Sequence, residues 1–220
     1  MREKTRGVML RATGITVRVG ERAVLREVSL QAHPGRLLVV TGPAGSGKTT
    51  LLHVLAGIIA PNEGEVTIDG VRLEGYGQDK SATLGFVPQT FGLAAALSAA
   101  ENVAVPLQIA RRSREEVFDR VAKMLSTLAL DNAAGQLATE LSGGQRQRVA
   151  VGRAIVAEPD LVIADEPTSE LDAASRDLVF SLLRAAAHGG STVILATHDP
   201  DLVARCDDAV LLHDGRGAAI

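Results

Sequence analysis

Residues 42–50 read Gly42-Pro43-Ala44-Gly45-Ser46-Gly47-Lys48-Thr49-Thr50, and they follow the apolar run Leu37–Val40. Glycines at 42, 45 and 47 permit backbone angles that other residues avoid, so that successive N–H groups can turn toward an anion at the start of a helix. The spacing Gly-x-x-x-x-Gly-Lys-Thr between a strand and a helix therefore predicts a phosphate-binding loop. Lys48 is expected to neutralise the β- and γ-phosphates, and the Thr49 hydroxyl to bind Mg²⁺, which still needs a carboxylate from elsewhere. A plain glycine-rich turn is the alternative, and Lys-Thr-Thr in register favours the phosphate loop.

Length and composition predict one α/β domain. The 220 residues suit a single buried core, and a formal charge of -3 without blocks of lysine or arginine argues against nucleic acid as a partner. Cys206 is the only cysteine, so an intrachain disulfide and a cysteine-based metal cluster are excluded, and a reducing, cytoplasmic setting fits. No apolar run approaches the ~18 residues that span a bilayer, and the charged first residues do not resemble a signal peptide.

The first 90 residues contain short alternating segments that turn residues separate. Apolar and polar residues alternate over 8–19 and 23–32, which is the period of half-buried strands. A buried strand over 36–41 and an apolar helix from 47 to about 59 surround the phosphate loop. Further short strands are expected at residues 65–69, 71–73 and 84–88. Together these segments predict an antiparallel patch beside a parallel core.

Between about residues 91 and 140 the pattern changes to alanine-rich helical segments. Helices are expected over 98–110 and 113–130, with Ser113 as the N-cap of the second, and a short third piece follows. These form a helical insertion, although additional core helices would give the same pattern. Beyond it, helices from 143, about 172 and 199 alternate with strands over 161–164, 192–197 and 208–213. That alternation predicts a parallel sheet with right-handed crossovers, and residues 215–220 are expected to lack regular structure.

Two carboxylates follow the buried strand that precedes residue 165. Asp165 and Glu166 lie where parallel α/β sheets place their ligands, so Asp165 suits the Mg²⁺ site. Glu166 could hold a water in line with the γ-phosphate and accept its proton. Acidic pairs after strands also occur as solvated turn residues. A phosphate loop in the same chain favours the catalytic interpretation.

A second possible anion site is Ser142-Gly143-Gly144-Gln145, which opens a helix. Alone it would be an ordinary turn and N-cap. Preceded by Leu141, however, it resembles the signature sequence of the ATP-binding cassette (ABC) family. Other positions resemble that family in order along the chain. They are Gln89 (the Q-loop glutamine), Asp165-Glu166 (the Walker B pair), Ser169-Glu170-Leu171-Asp172 (the D-loop) and His198 (the switch histidine).

This resemblance covers about residues 8–214 and implies a specific architecture. It implies a P-loop NTPase with a RecA-like parallel sheet, an N-terminal antiparallel β subdomain and an inserted α-helical subdomain. Residues 1–220 are expected to form one ATPase domain. Its nucleotide-binding core, with the antiparallel subdomain, is assigned to 8–89 and 157–214, and the helical subdomain with the signature to 90–156.

The resemblance also implies the ligands and partners. ATP and Mg²⁺ are expected to bind between two subunits of a head-to-tail homodimer, in which Gly42–Thr50 of one subunit faces Ser142–Gln145 of the other. Gln89 is expected to reach the metal and the lytic water, and His198 the γ-phosphate. Taken alone, Gln89 could be an exposed loop residue and His198 a structural histidine. An integral membrane permease is expected to dock on the helical subdomain, which would make the chain cytoplasmic and peripheral on the inner face of the membrane.

Within the family, several segments resemble the lipoprotein-release, macrolide-export and cell-division group. They are Glu101-Asn102-Val103, Val105-Pro106-Leu107 and Ala164-Asp165-Glu166-Pro167-Thr168. Two features depart from that group: Ser169-Glu170 replaces the usual Gly-Asn, and the proline often found before the signature is absent.

One departure concerns the nucleobase. Many members carry an aromatic residue before the glycine that ends the first strand, and here that position is Val19, before Gly20. We therefore expect Val19 to contact adenine without a stacking face, so that adenine is held loosely. Arg18 is a candidate to compensate by lying over the base.

Three functions compete. The preferred one is the ATPase subunit of a transporter, of export or extraction type, that couples ATP-driven dimer closure to a separate permease. The second is a non-transport ABC protein, although such proteins in DNA repair or translation usually carry tandem cassettes or large insertions. The third is a nucleotide-dependent regulatory module that acts on a membrane partner without transporting a solute.

Overall fold

The computed structural model describes residues 7–75 and 82–219, and Tyr76 lies outside them. Strand β3 (Leu37–Thr41) leads through the glycine-rich loop into helix α1 (Lys48–Leu55). All but the last residue of β3 are buried, because helices and strands cover both faces of this strand. The strand, loop and helix predicted around residues 42–50 are therefore present, and the rest of the fold surrounds them.

The described strands form two sheets. The smaller sheet is antiparallel and has the order β2-β1-β4-β5. Its strands are β1 (Leu10–Val19), β2 (Arg22–Ala32), β4 (Glu63–Ile68) and β5 (Val71–Arg72). The larger sheet has the order β10-β9-β3-β8-β7-β6 and is parallel except for its β9-β10 edge. Its other strands are β6 (Leu84–Val87), β7 (Leu161–Asp165), β8 (Thr192–Ala196), β9 (Asp208–His213) and β10 (Arg216–Ala219).

The larger sheet is buried on both faces, and alternate residues of its strands enter two different cores. In β3, Leu38 and Val40 pack with α1 and the antiparallel sheet, whereas Leu37 and Val39 pack with two later helices. These helices are α4 (Gly143–Ile155) and α5 (Ala173–His188). Successive side chains of a strand point to opposite faces, so an apolar run such as Leu37–Val40 fits a sheet covered on both sides.

A third apolar cluster joins α2 (Ala99–Ile109), α3 (Arg114–Thr127) and the outer face of α4. Ser98 and Ser113 cap the first two of these helices, as their positions before Glu101 and Glu116 favour. A 3-10 turn at Asp131–Ala133 follows α3. Because α4 contacts both α2 and the sheet strand β6, it links the helical cluster to the sheet that carries the phosphate loop.

Two sequence-based boundaries are wrong. The helix expected to reach residue 59 ends at Leu55, because the chain turns at Gly57, whose φ of 70° is left-handed. Residues 216–219, expected to lack regular structure, form β10 and pair with β9. Asp214 and Gly215 both have positive φ, 49° and 75°, which is the geometry of a tight hairpin turn. A last short helix, α6 (Pro200–Val203), connects β8 to β9.

Candidate active site

The phosphate loop has the backbone conformation that its glycines predict. Gly42, Gly45 and Gly47 have φ angles of 145°, 76° and 104°, all in the region that side chains rarely adopt. A Cβ atom at Gly42 would lie 2.1 Å from the Leu212 carbonyl oxygen. One at Gly47 would lie 2.8 Å from Cδ2 of Leu25. The loop is therefore held between β9 and β2 so tightly that only glycine fits at these two positions.

The first turn of α1 opens into the loop without a side-chain cap. Gly47 is its N-cap residue and makes no side-chain hydrogen bond. The Lys48 ammonium lies in the loop, where its Nζ donates to the carbonyl oxygens of Gly42 at 2.8 Å and Pro43 at 3.1 Å. The buried Ser46 hydroxyl has no hydrogen-bond partner among the described residues. Free helix amides, a cation and an unpaired hydroxyl together fit a phosphate group.

Asp165, the last residue of β7, is 1 % exposed, and neither of its carboxylate oxygens has a hydrogen-bond partner of normal geometry within the described residues. Burial raises the pKa of this carboxyl above its ordinary value, the nearby Thr49 hydroxyl lowers it, and the Glu166 carboxylate raises it again. The charge of Lys48 also lowers this pKa, but its contribution is smaller than that of burial, so the ionised carboxylate is only partly compensated within the chain. It fits a divalent cation, whose preferred ligands are carboxylate and hydroxyl oxygens.

Glu166 follows in a strained conformation, with a φ of 48° that side chains rarely adopt. Its backbone N–H is fixed by the Ala196 carbonyl at 3.0 Å, on the neighbouring strand β8. Its Oε1 lies 2.9 Å from Nδ1 of His198, which follows β8. The strand ends thus bring together two side chains that are 32 positions apart. They form a carboxylate–imidazole pair able to accept and hold a proton.

These groups share one cavity of about 830 Å³, a volume typical of a nucleotide-sized ligand site. Most of the site residues predicted from the sequence border it, including Val19 and the exposed Gln89. The full lining is Val19, Arg22, Val24, Ala44, Gly45, Gly47, Lys48, Thr49, Thr50, Gln89, Asp165, Glu166, Ser169 and His198. The phosphate loop adjoins both other parts of the lining: the Val24 carbonyl oxygen lies 3.1 Å from where a Cβ of Gly47 would be, and Thr49 lies beside Asp165.

The predicted second anion site does not reach this cavity. Ser142 caps α4, and its Oγ accepts from the Gln145 backbone N–H at 3.3 Å. The Gln145 side-chain oxygen accepts in return from the Ser142 backbone N–H at 2.8 Å. This is a reciprocal capping box, so within one chain the segment has the ordinary structural role that was its alternative interpretation.

The structure adds two lining residues that the sequence did not indicate, Arg22 and Val24, and it also places Ser169 of the D-loop segment in the lining. It also shows that Arg18 and Arg22 lie on opposite faces of the β1-β2 hairpin. Arg18 does not line the cavity and instead forms an exposed ion pair with Glu63 at 3.8 Å, so it does not lie where a base would stack. Strand register explains the difference, because Val19 pairs with Arg22 and Arg18 with Ala23, which alternate between the two faces. The register of the hairpin was the missing signal.

A second surface feature lies on the helical side. A groove of about 320 Å³ follows Gln89, and alanine, threonine, two larger apolar residues and one cation line it. These residues are Thr90, Phe91, Leu93, Ala95, Ala138, Thr139 and Arg146. The Arg146 guanidinium lies 5.3 Å from the centre of the Phe91 ring, and its Nη1 donates to the Leu141 carbonyl at 2.6 Å. The groove therefore adjoins both Gln89 and the start of α4.

None of the helices in residues 7–75 and 82–219 is long and apolar enough to cross a membrane.

The sequence of this chain is similar to those of known proteins. The family of ABC transporters matches residues 25–169. The lipoprotein-releasing system ATP-binding protein LolD of Shewanella denitrificans is 39% identical over 201 residues, which are 89% of this chain and 86% of that protein. The macrolide export ATP-binding/permease protein MacB of Rhodospirillum rubrum is 40% identical over 200 residues, which are 87% of this chain and 30% of that protein.

Solved structures show the same fold. The ATP-binding cassette MJ0796, in a dimeric post-hydrolysis state bound to ADP and Pi, matches with a TM-score of 0.85 and 32% identity. The match covers 94% of this chain and 96% of that one. A second dimeric structure of MJ0796, described as a bacterial ABC transporter cassette, has a TM-score of 0.86. The expected P-loop NTPase fold is thereby confirmed, with its parallel core, antiparallel strands and helices.

Proposed function

The chain belongs to the ABC transporter family and is a transport-coupled ATPase, and we propose that it works as a homodimer that drives a separate membrane permease. The observation that carries the proposal is the shared cavity. It joins an open phosphate loop, a buried carboxylate without a partner and the Glu166–His198 pair. A buried carboxylate without a full set of partners is costly, and a divalent ion bound with a nucleoside triphosphate would supply them.

ATP phosphates are proposed to lie on the amides of Gly42–Thr50, with Lys48 turning from its loop carbonyls to the phosphate oxygens. Mg²⁺ would be held by Thr49 and Asp165, with Gln89 at the edge of the site, and would neutralise charge on the phosphates. The described residues contain no group of three or more His, Cys, Asp or Glu side chains able to hold a metal. Phosphate oxygens and water therefore complete this proposed site, as is usual for Mg²⁺.

Glu166 is proposed as the general base for the attacking water. Its side chain is nearly buried, its backbone is fixed to β8, and its carboxylate already contacts the His198 ring. His198 is proposed to orient that carboxylate and to contact the terminal phosphate. Because its imidazole is largely exposed, the second contact requires closure of the site from outside.

Closure is proposed to come from a second copy of the chain. The amides of Gly143 and Gly144, at the start of α4, stay free of the capping box and can donate hydrogen bonds to phosphate oxygens. In one chain they lie apart from the cavity, so a head-to-tail partner would have to supply them. The dimeric state of MJ0796 supports this arrangement.

The permease is proposed to dock in the groove beside Gln89, on a helical subdomain formed by residues 90–156. Such docking would place the chain at the inner face of the membrane, in the cytoplasm, and Gln89 would link the groove to the nucleotide. The relatives are named for lipoprotein release and macrolide export, which supports export or extraction as the type of transport.

Cross-linking tests the docking. In a Cys206→Ser background, Ala95→Cys and Thr139→Cys place thiols in the groove, and Gln31→Cys places one on the exposed edge of β2 as the matched control. The neighbouring reading frames are first searched for a permease, and that permease, purified with this chain, is the probe. Cross-links from the two groove positions alone, with ATPase activity that the permease stimulates, support the proposal. Cross-links from Gln31→Cys alone would reject it.

A further inference from the structure

The cavity has an end that the chemistry of hydrolysis leaves unassigned. If the terminal phosphate faces Glu166, as the proposed function requires, the nucleoside points the opposite way, toward Val19, Arg22 and Val24. That end is close to the phosphate loop, because the Val24 carbonyl oxygen lies 3.1 Å from where a Cβ of Gly47 would be. None of its side chains is aromatic. Val19 is 68% exposed and offers only a small apolar surface.

We propose that Arg22 holds the nucleobase by laying its guanidinium plane against the purine face, with Val19 and Val24 in apolar contact beside it. Arg22 pairs directly with Val19 across the β1-β2 hairpin, so both side chains lie on the same face of the sheet. Its guanidinium makes no ion pair or hydrogen bond with any side chain in the described parts of the chain, and is free to take a ligand. A planar cation stacks well on a purine, which is how arginine contacts unstacked bases in other proteins.

The charges around Arg22 favour a guanidinium that points into the nucleotide cavity over one that points into a neighbouring hollow. Arg22 also borders a smaller hollow of about 350 Å³, which contains Arg26, Arg216 and one carboxylate, Asp214. Even without Arg22, the side chains of this hollow have a net positive charge, because it contains two arginines and one carboxylate. Like-charge repulsion therefore directs the Arg22 guanidinium toward the nucleotide cavity. A contact from Arg22 to the phosphates instead of the base is the main competing role, and the experiment is designed to separate the two.

The test compares two ligands and a matched pair of arginines. ATP and inorganic tripolyphosphate, each with Mg²⁺, are titrated calorimetrically against the wild type, Arg22→Ala, Arg22→Tyr and Arg18→Ala. Tripolyphosphate presents phosphates without a base. Arg18→Ala removes the same charge from the same hairpin but from its other face, where Arg18 pairs with Glu63. It therefore controls for long-range electrostatics and for folding.

Arg22→Ala is expected to weaken ATP binding about tenfold and to change tripolyphosphate binding less than about twofold. Arg22→Tyr, which restores a planar face without charge, should keep ATP affinity within about threefold of the wild type, and Arg18→Ala should change neither ligand. GTP should bind within about threefold of ATP, because stacking accepts any purine.

If Arg22→Ala weakened the binding of ATP and of tripolyphosphate equally, Arg22 would be assigned to the phosphates and the proposal would be overturned. An unchanged ATP affinity would overturn it as well. The inference rests on the proposed function, and the two fail differently. If wild-type protein bound neither ATP nor tripolyphosphate, the phosphate loop assignment itself would be wrong, whereas the outcomes above reject only the role of Arg22.

Discussion

The helices α1 and α4 both begin at glycine-rich segments, yet they satisfy their first backbone amides in different ways. α1 starts after Gly47, whose left-handed backbone places no side chain over the helix end. α4 starts after Ser142, which forms a complete capping box with Gln145. Since free N–H groups at a helix start need partners, α1 depends on a ligand to complete its first turn. In α4 the amides of Ser142 and Gln145 are satisfied within the chain, and we propose that those of Gly143 and Gly144 bind the nucleotide of a partner subunit.

The groups around the two helix starts also differ, since one start faces a cavity and the other faces side chains of the same chain. The start of α1 faces a cavity with a lysine, a buried carboxylate and a proton acceptor, so it contains what phosphate transfer requires. The start of α4 faces Glu170 and Leu171 of the same chain, whose side chains lie 3.3 and 3.4 Å from where Cβ atoms of Gly143 and Gly144 would be. The groups at the start of α1 therefore lie together in a single chain, whereas the role that we propose for the start of α4 needs a second subunit. Variants that act on one and spare the other test this contrast.

Glu166→Gln should have the largest effect. It removes the proposed proton acceptor but leaves both helix starts intact, and loss of a general base costs roughly 10²–10⁴-fold in rate. ATP binding should be retained, so a dimer with trapped ATP should accumulate. Steady-state ATPase assays and size-exclusion chromatography with Mg²⁺ and ATP measure the two effects. Near-wild-type turnover would show that another group activates the water.

Ser142→Arg should act on the contact site alone. It places bulk and charge at the start of α4, and loss of preorganised donors typically costs roughly 10²–10³-fold in turnover. ATP binding by the monomer should not change, because Ser142 does not border the cavity. Fluorescent-nucleotide titration of the monomer and ATPase assays give the two readouts.

Ser113→Arg is the matched control, since Ser113 is an exposed N-cap on α3, away from the start of α4. Both variants lose a helix cap, which costs about 1 kcal/mol of stability. Only Ser142→Arg should lose turnover. If Ser142→Arg instead abolished binding by the isolated monomer, the assignment of residues 142–145 to a partner's site would be wrong.

Lys48→Ala should act on the phosphate loop at the start of α1. Hydrogen bonds to charged groups contribute about 1.5–3 kcal/mol each, so ATP affinity of the monomer should fall roughly ten- to hundredfold. Lys123→Ala removes the same charge from the exposed surface of α3 and should leave affinity unchanged. An unaffected affinity in Lys48→Ala would mean that the backbone amides of the loop hold the phosphates without it.

The local elements around the two helix starts could be predicted from the sequence, but the distances between distant side chains could not. Local patterns predicted the loop, its strand and helix, and the Ser113 cap, because glycine, capping and alternation rules act over a few residues. The Asp214-Gly215 hairpin turn also carried a local signal, yet the strand after it was not expected. The pairing of Glu166 with His198 and the separation of Arg18 from Arg22 depend on strand order and register, which the long-range packing of two sheets determines.

The smallest expected effect is that of Asp165→Asn on the ligand-free fold, which it should stabilise. The Asp165 carboxylate is buried without a hydrogen-bond partner of normal geometry in the described residues, and burial raises its pKa more than the nearby Thr49 hydroxyl lowers it. In the ligand-free protein its ionised form therefore opposes folding, and replacing it should stabilise the fold by about 1 kcal/mol, or ~2–4 °C in Tm. The gain is small because the amide is also left unpaired.

The pH dependence gives a second readout of Asp165→Asn. Below the ordinary value of 3.8 the carboxyl is protonated in both folded and unfolded chains, so the wild type and the variant should differ little. As pH rises above 3.8 and through the raised pKa of the folded state, the wild type loses stability relative to the variant, and the difference then stays constant. Adding Mg²⁺ and ATP should reverse the order, since only the wild type keeps the carboxylate for the cation. Thermal unfolding with and without the ligands at several pH values measures both effects. A lower Tm for the ligand-free variant at neutral pH would show that Asp165 already has a stabilising partner in the folded chain, as Ser142 and Gln145 have at the start of α4.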